Sequence, residues 1–342
     1  MVGYSDSNKE SGIVAARWGL QAAQRELAEI GRKQNVRLHF FHGRGGTVSR
    51  GGGNLVKGIE GAPTGTIGGY MRVTEQGEVI NQKYGIRPIA LRNLELITGA
   101  TLAHGLADIG QHASEQMREM MSSMAATARA RYHELVHQNT DFVPFFRKAT
   151  PIDVIERLNI GSRPSARRGG TSVDDLRAIP WVFSWAQTRV GFPGVFGFGT
   201  ALQTLIEQAG LDQVRDMHRR WGFFQGLVND VEMVLAKSDL EIGARYAALA
   251  DSGQQYVFQL ILKEFELATQ AILDLTQSRN LLDNHRTLQR NIRLRNPYVD
   301  PIHLLQINLL SRWRAGDCED AQLLDALKST VNGIALGIQN TG

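Results

Sequence analysis

Two short stretches hold the residue types that could bind and act on a small charged molecule. In FHGRGGTVSRGGG, residues 41–53, Arg44 and Arg50 stand six apart in a run containing six glycines. Glycine lets backbone N–H groups come close to an anion and tolerates positive φ. Arginine offers a planar fork to carboxylate or phosphate oxygens and stays charged at any working pH. Together they suggest a cradle for a small, multiply charged anion. The spacing is not that of G-x-x-x-x-G-K-[ST], and a G-x-G-x-x-G pattern breaks at Val48. RNA-binding segments with Arg-Gly-Gly repeats would contain the tripeptides seen at Arg44, Arg50 and Arg168. Those segments are long and repetitive, however, whereas this one is short and abuts an apolar run. A glycine turn with solvated arginines is the plainer alternative.

The second stretch is GYSDSNKESG, residues 3–12. Asp6 is placed either to ligate a hard cation such as Mg²⁺ or to cap the helix that follows. Lys9 could set a point charge on a phosphate. One carboxylate is little for a protein-bound Mg²⁺, which takes one or two plus substrate oxygens. Further on, GSRPSARRGGTSVDD at 161–175 has no periodicity and carries Arg163, Arg167 and Arg168, with Arg177 just beyond. It reads as a mobile loop, able to close over a phosphate or to serve as a solvated linker.

The elements that must position these residues alternate in the first third of the chain. MVGY is a short apolar piece. Ile13, Leu20, Leu27 and Ile30 then recur at helical spacing through about Gly31. VRLHFFHG, IGGYMRVTEQG and IPWVFSWAQTR (179–189) read as further strands, rich in β-branched and aromatic residues. Strand, helix, strand with short links implies parallel pairing and right-handed crossovers. Each of the four strands ends in polar residues: Asp6 and Lys9, His42 and Arg44, Glu75 and Gln76, Gln187 and Arg189. In barrels of parallel strands the C-terminal strand ends carry the active site, although four strands make only half of an eight-stranded barrel. The remainder reads as mainly helical. Phe258, Ile261, Phe265, Ala268, Ile272 and Leu275 mark the core face of one long helix. The methionines of QMREMMSSM (116–124) read as core filler rather than ligands.

Composition narrows the class. The chain has 342 residues, 42% hydrophobic and 21% charged, with a net charge of +4. So small an excess does not demand nucleic acid. Cys318 is the only cysteine and cannot form an internal disulfide, which fits a reducing cytosol. No apolar run of membrane-spanning length and no signal-peptide layout occur, so a soluble cytoplasmic protein is expected.

GYSDSNKESG, FHGRGGTVSRGGG, RVTEQGEVINQKYG, DFVPFFRKATP, GSRPSARRGG, LRAIPWVFSWAQTR, LRNPYVDPIHLLQ and the terminal QNTG together resemble phosphoenolpyruvate carboxylase, in that family's order. The resemblance implies an α/β, predominantly helical fold, the C-terminal half of a helix-rich (β/α)₈ TIM-like barrel. Within residues 1–342 it places barrel strands and active-site loops in 1–190 and a mainly helical part with an effector site in 191–342. The implied reaction joins phosphoenolpyruvate and bicarbonate into oxaloacetate and phosphate through carboxyphosphate and the pyruvate enolate. It implies Lys9, Arg44, Arg50 and Arg177 as catalytic residues, Arg163, Gln76 and His42 as substrate-binding residues, and Asp6 as a ligand of Mg²⁺ or Mn²⁺. Loop 161–175 would shield the reactive intermediates from water. Lys237, Arg295 and Asn340 match an inhibitory site for aspartate or malate, with Arg50 shared between the two sites. A homotetramer, or the N-terminal half of the enzyme, is the implied partner, and neither nucleic acid nor membrane is.

The family's T-A-H-P-T type motif, first barrel strands and second metal-binding glutamate have no counterpart here, and Met1 falls inside a family motif, so the alternative expectation is an inactive fragment or one half of a split enzyme that needs an N-terminal partner chain. Glu10, Ser49 and Asn54 stand where aspartate, glycine and proline are usual. An isolated half-barrel is expected to expose apolar faces and open strand edges, and so to associate or be poorly soluble.

Overall fold

A computed structural model describes residues 2, 5–42, 55–74, 77–106, 113–158 and 173–338. Along the chain run α1 (Ser5–Lys33), β1 (Phe41–His42), α2 (Leu55–Glu60), β2 (Arg72–Val73), α3 (Gly77–Tyr84), α4 (Arg87–Leu106) and α5 (Glu115–His133). Then come α6 (Phe142–Ala149), α7 (Ile152–Ile155), α8 (Ala178–Gln187), α9 (Phe198–Ala209), α10 (Leu211–Arg220), α11 (Gly222–Lys237) and α12 (Leu240–Ala247). The last three are α13 (Tyr256–Thr276), α14 (Arg286–Ala315) and α15 (Ala321–Ile338). The protein is predominantly helical, and no described helix is long and apolar enough to cross a membrane.

By compactness the chain forms two units, one built mainly from Met1–Arg129 and Thr200–Val231, the other from Ala130–Gly199 and Glu232–Asn340. In the first unit α1 is not one straight helix. Gly12 sits inside it at φ 77°, ψ 165°, a region open essentially to glycine alone. This break separates the turn that carries Asp6 and Lys9 from the long helix beyond. A small core of Ile59, Ile67 and Ala100, joined by Val56, Met71 and Ile97, ties α2 and the loop after it to α4. Trp18 meets Trp221 edge-on at 5.8 Å and Phe223 at 6.0 Å. A Cβ on Gly61 would lie 3.1 Å from the Phe223 backbone, so this approach needs a residue without a side chain.

Strand pairing here is parallel, as expected, but short. Phe41 pairs with Arg72 and His42 with Val73, while Val2 forms a parallel bridge to His42 on the other side. Residues 36–40 form no strand, and Val36 and Leu38 remain exposed.

The second unit corrects one expectation. Residues 179–189, read as a fourth strand, lie largely in helix α8. Its buried positions are Ala178, Pro180, Trp181, Ser184, Trp185 and Gln187, and Ala178, Trp181 and Trp185 among them recur at steps of three and four. The two indoles pack against Phe142 and Phe146 of α6 and against Phe192, with Trp185 stacked on Phe192 at 4.6 Å. Gln187 and Arg189 are therefore not polar residues at a strand end; both are buried and bonded within the unit. The helix expected from Phe258 to Leu275 is α13, and its six predicted core residues are all buried. Met117, Met121 and Met124 are core residues, as expected. A second cluster gathers Tyr246, Leu310, Trp313, Leu327 and Val331 between α12, α14 and α15.

Candidate functional site

Three parallel strand positions run in one direction, and each leads into a segment assigned a chemical role. Val2 precedes the turn of Asp6 and Lys9; His42 ends β1 just before Arg44; Val73 ends β2 shortly before Gln76. The backbone ties between them are Val2 N–H to the Phe41 carbonyl at 2.8 Å and Thr74 N–H to the His42 carbonyl at 3.0 Å. Arg44, Arg50, Gln76, Arg163 and Asn340 themselves lie outside the described residues, as do the side chain of Asp6 and most of loop 161–175.

Of the described residues in this unit, Lys9 is only 5% exposed, an uncommon depth for a lysine. Its neighbour Asn8 is buried as well, and its Oδ1 has no hydrogen-bond partner among the described residues. His42 is 3% exposed with Nδ1 unpartnered among the described residues, and burial pushes its imidazole below the usual range. It is thus neutral near pH 7 and can donate through one ring nitrogen and accept through the other. Neither Asn8 nor the Gly12 break was identified from the sequence. The signal for Gly12 was present, a glycine set between a polar cluster and an apolar helical run.

Arg177 belongs to the second unit, where it stands in extended backbone just before α8. Its Nε is buried without a hydrogen-bond partner among the described residues.

Lys237 and Arg295, the described members of the expected effector site, also lie in this unit, and both neighbour Arg189. The Arg189 Nε donates to the Lys237 carbonyl at 3.3 Å, and Nη1 donates to Asp300 at 3.1 Å. Burial, and then the charge of Arg189, push the Arg295 guanidinium below its usual range. Arg189 adopts left-handed backbone, φ 60°, and its carbonyl accepts the Asp239 N–H at 2.8 Å. A buried cation, two carboxylates and a second arginine thus meet where α8 ends, α12 begins and α14 passes.

Among the described residues no three His, Cys, Asp or Glu side chains gather as a metal cluster.

Comparison with known proteins gives these positions their context. The family model described as "Phosphoenolpyruvate carboxylase" matches residues 1–342. A phosphoenolpyruvate carboxylase of Xanthomonas campestris pv. campestris is 48% identical over 344 residues, covering 100% of this chain and 38% of its own length. Those of Nitrosomonas eutropha and Roseiflexus castenholzii are 45% and 42% identical, again over 100% of this chain and 38% of theirs. The chain thus spans 38% of the length of these relatives and corresponds to their C-terminal portion. With a match along its whole length and close relatives on every stretch, this chain belongs to the phosphoenolpyruvate carboxylase family.

Proposed function

We propose that the chain supplies the anion-binding part of a carboxylase that converts phosphoenolpyruvate and bicarbonate into oxaloacetate and phosphate. The observation that carries this reading is the full-length family match, with 48% identity to a named carboxylase. Three parallel strand positions leading into the segments of Lys9, Arg44 and Gln76 support it. We read the strands as part of the C-terminal half of a (β/α)₈ barrel.

In this reading the phosphoryl group passes from phosphoenolpyruvate to a bicarbonate oxygen, leaving the enolate of pyruvate and forming carboxyphosphate. Carboxyphosphate breaks into CO₂ and phosphate, and the enolate carbon attacks CO₂ to give oxaloacetate. Every species is an anion, so fixed cations in a water-poor site are the effective tools. Arg44 and Arg50 clamp phosphate and carboxylate oxygens; Arg163 and Arg177 hold the transferred group and carboxyphosphate. Lys9, already withdrawn from solvent, acts as a point charge at reduced dielectric. Neutral His42 and Gln76 line the pocket and orient the substrate. Asp6 is the residue that would hold Mg²⁺ or Mn²⁺, which when bound neutralises phosphoryl oxygens. Loop 161–175 excludes water from the intermediates. Lys237, Arg295 and Asn340, with Arg50 shared, take the two carboxylates of aspartate or malate. A cytoplasmic homotetramer is the assembly proposed for the complete enzyme.

The 38% coverage favours one qualification, that activity requires the N-terminal portion that the relatives possess. Titration calorimetry of the chain with phosphoenolpyruvate and Mg²⁺ tests its share of the site. Arg177→Ala and Lys9→Ala are expected to weaken binding at least tenfold. Binding indifferent to both substitutions would remove these residues from the site.

A further inference from the structure

Helix α4 has the composition of a buried helix and the exposure of a surface one. One side is spoken for. Ile97 and Ala100 pack against Ile59 and Ile67, Asn93 donates to the Lys83 carbonyl at 3.0 Å, and His104 Nε2 lies 3.1 Å from the Ala62 carbonyl. A Cβ on Gly105 would meet the Gly69 backbone, so the contact at that end is close. On the far side Leu91, Leu94, Thr98 and Leu102 follow one another at steps of three, four and four, which makes a continuous stripe. The three leucines are 58%, 52% and 49% exposed, and Ile89 and Leu96 beside them are exposed too. Arg92 and Glu95, 3.8 Å apart, are the charged pair on this helix. A contiguous exposed apolar stripe of this kind marks a surface that other protein covers.

The distribution of apolar exposure says what kind of cover is required. Among the described residues, twelve of the eighteen exposed large apolar side chains fall within the first 102 positions, on α1, the strand region, α3, α4 and the link between the last two. A contact between two copies of a chain uses one compact self-complementary patch. Exposure spread over several consecutive elements calls instead for a long chain laid across them. The curated relatives have such a chain: the larger part of their length lies outside the region matched here and precedes it. It would join at the same end of the sequence that carries the exposed residues.

We propose that the stripe Leu91, Leu94 and Leu102 of α4 is the docking surface for the N-terminal portion of a phosphoenolpyruvate carboxylase. This rests on the carboxylase reading above and adds the surface through which the two parts assemble. The test mixes the 342-residue chain with the separately produced N-terminal portion of the Xanthomonas campestris relative and measures affinity by calorimetry. The double substitution Leu91→Asp, Leu102→Asp is expected to weaken binding at least 100-fold while leaving the circular dichroism spectrum of the chain unchanged. Leu336→Asp, at a still more exposed leucine on α15, is expected to have no effect. Binding unaffected by the double substitution, or no binding in the unsubstituted chain, overturns the proposal. So does a self-associated chain that Leu91→Asp, Leu102→Asp dissociates without altering capture of the N-terminal portion, because a second copy then covers α4. A stripe-dependent complex that forms no oxaloacetate refutes the carboxylase reading and leaves the docking surface standing.

Discussion

His303 should make the second unit acid-sensitive in a way that one substitution removes. The side chain is fully buried on α14. Tyr246 Oη donates its single proton to Gln306 Oε1 at 2.7 Å, so His303 Nδ1, 3.2 Å from that same oxygen, must be the donor to it. Gln306 Nε2 in turn donates to Thr330 at 3.0 Å and Gln187 at 3.3 Å. With Nδ1 carrying the proton, the neutral ring leaves Nε2 bare, and that atom has no hydrogen-bond partner among the described residues. Protonating it would bury a charge near Arg189. Burial first, and then Arg189, push the His303 pKa down to about 3, with the Gln187 carbonyl offsetting a little.

The unfolded chain, titrating near the ordinary histidine value of about 6.5, therefore holds the extra proton between about pH 3 and 6.5. Stability rises with pH across that window and is lost as pH falls through it, by up to about 1.4 kcal/mol per pH unit. Between pH 7.5 and 5.0 the histidine accounts for roughly 2 kcal/mol. Urea unfolding followed by tryptophan fluorescence, at both pH values, measures it in the unsubstituted chain and in His303→Gln. The substituted protein should lose about 2 kcal/mol less on acidification. Subtraction cancels the carboxylates and other histidines common to both. Equal acid sensitivity in the two proteins would refute the reasoning about this network.

Gly12→Ala forces a Cβ into backbone at φ 77° and should cost about 1–3 kcal/mol in denaturant unfolding; an unchanged midpoint would show that the break can be absorbed. Arg314 gathers the end of α6, donating to the Lys148 carbonyl at 2.6 Å, the Thr150 carbonyl at 2.7 Å and both Asp153 oxygens at 2.9 Å. Arg314→Ala should destabilise by roughly 2–4 kcal/mol, with Arg314→Lys restoring only part. Trp185, 2% exposed among Phe142, Phe146 and Phe192, should cost about 3–5 kcal/mol on substitution by alanine.

The family was legible in the sequence because its motifs are carried by residue type and local order. Arginines among glycines directly after an apolar run, and Asp6 with Lys9 after another, point to anion binding without any knowledge of the fold. The stripe from Phe258 to Leu275 was equally legible, since six apolar residues at helical spacing leave one reading. Residues 179–189 were not. An aromatic run this short satisfies a strand pattern and a buried helix alike, and only packing against Phe142, Phe146 and Phe192 decides for the helix. The same ambiguity misplaced Gln187 and Arg189, whose partners on α14 and α15 lie more than a hundred residues away. Composition also could not show which side of α4 is covered, because apolar residues stand on more than one side of it and periodicity does not rank them.

In the function proposed above, this chain holds the arginine and lysine cradle of a carboxylase whose remaining groups lie in the relatives' N-terminal portion. The most direct measurement is phosphoenolpyruvate- and bicarbonate-dependent formation of oxaloacetate, with Mg²⁺, by the chain mixed with that portion of the Xanthomonas campestris relative. The account predicts oxaloacetate from the mixture, none from either part alone, and loss of activity with Arg44→Ala. Oxaloacetate from the chain alone, or activity in the mixture indifferent to Arg44→Ala, would contradict it.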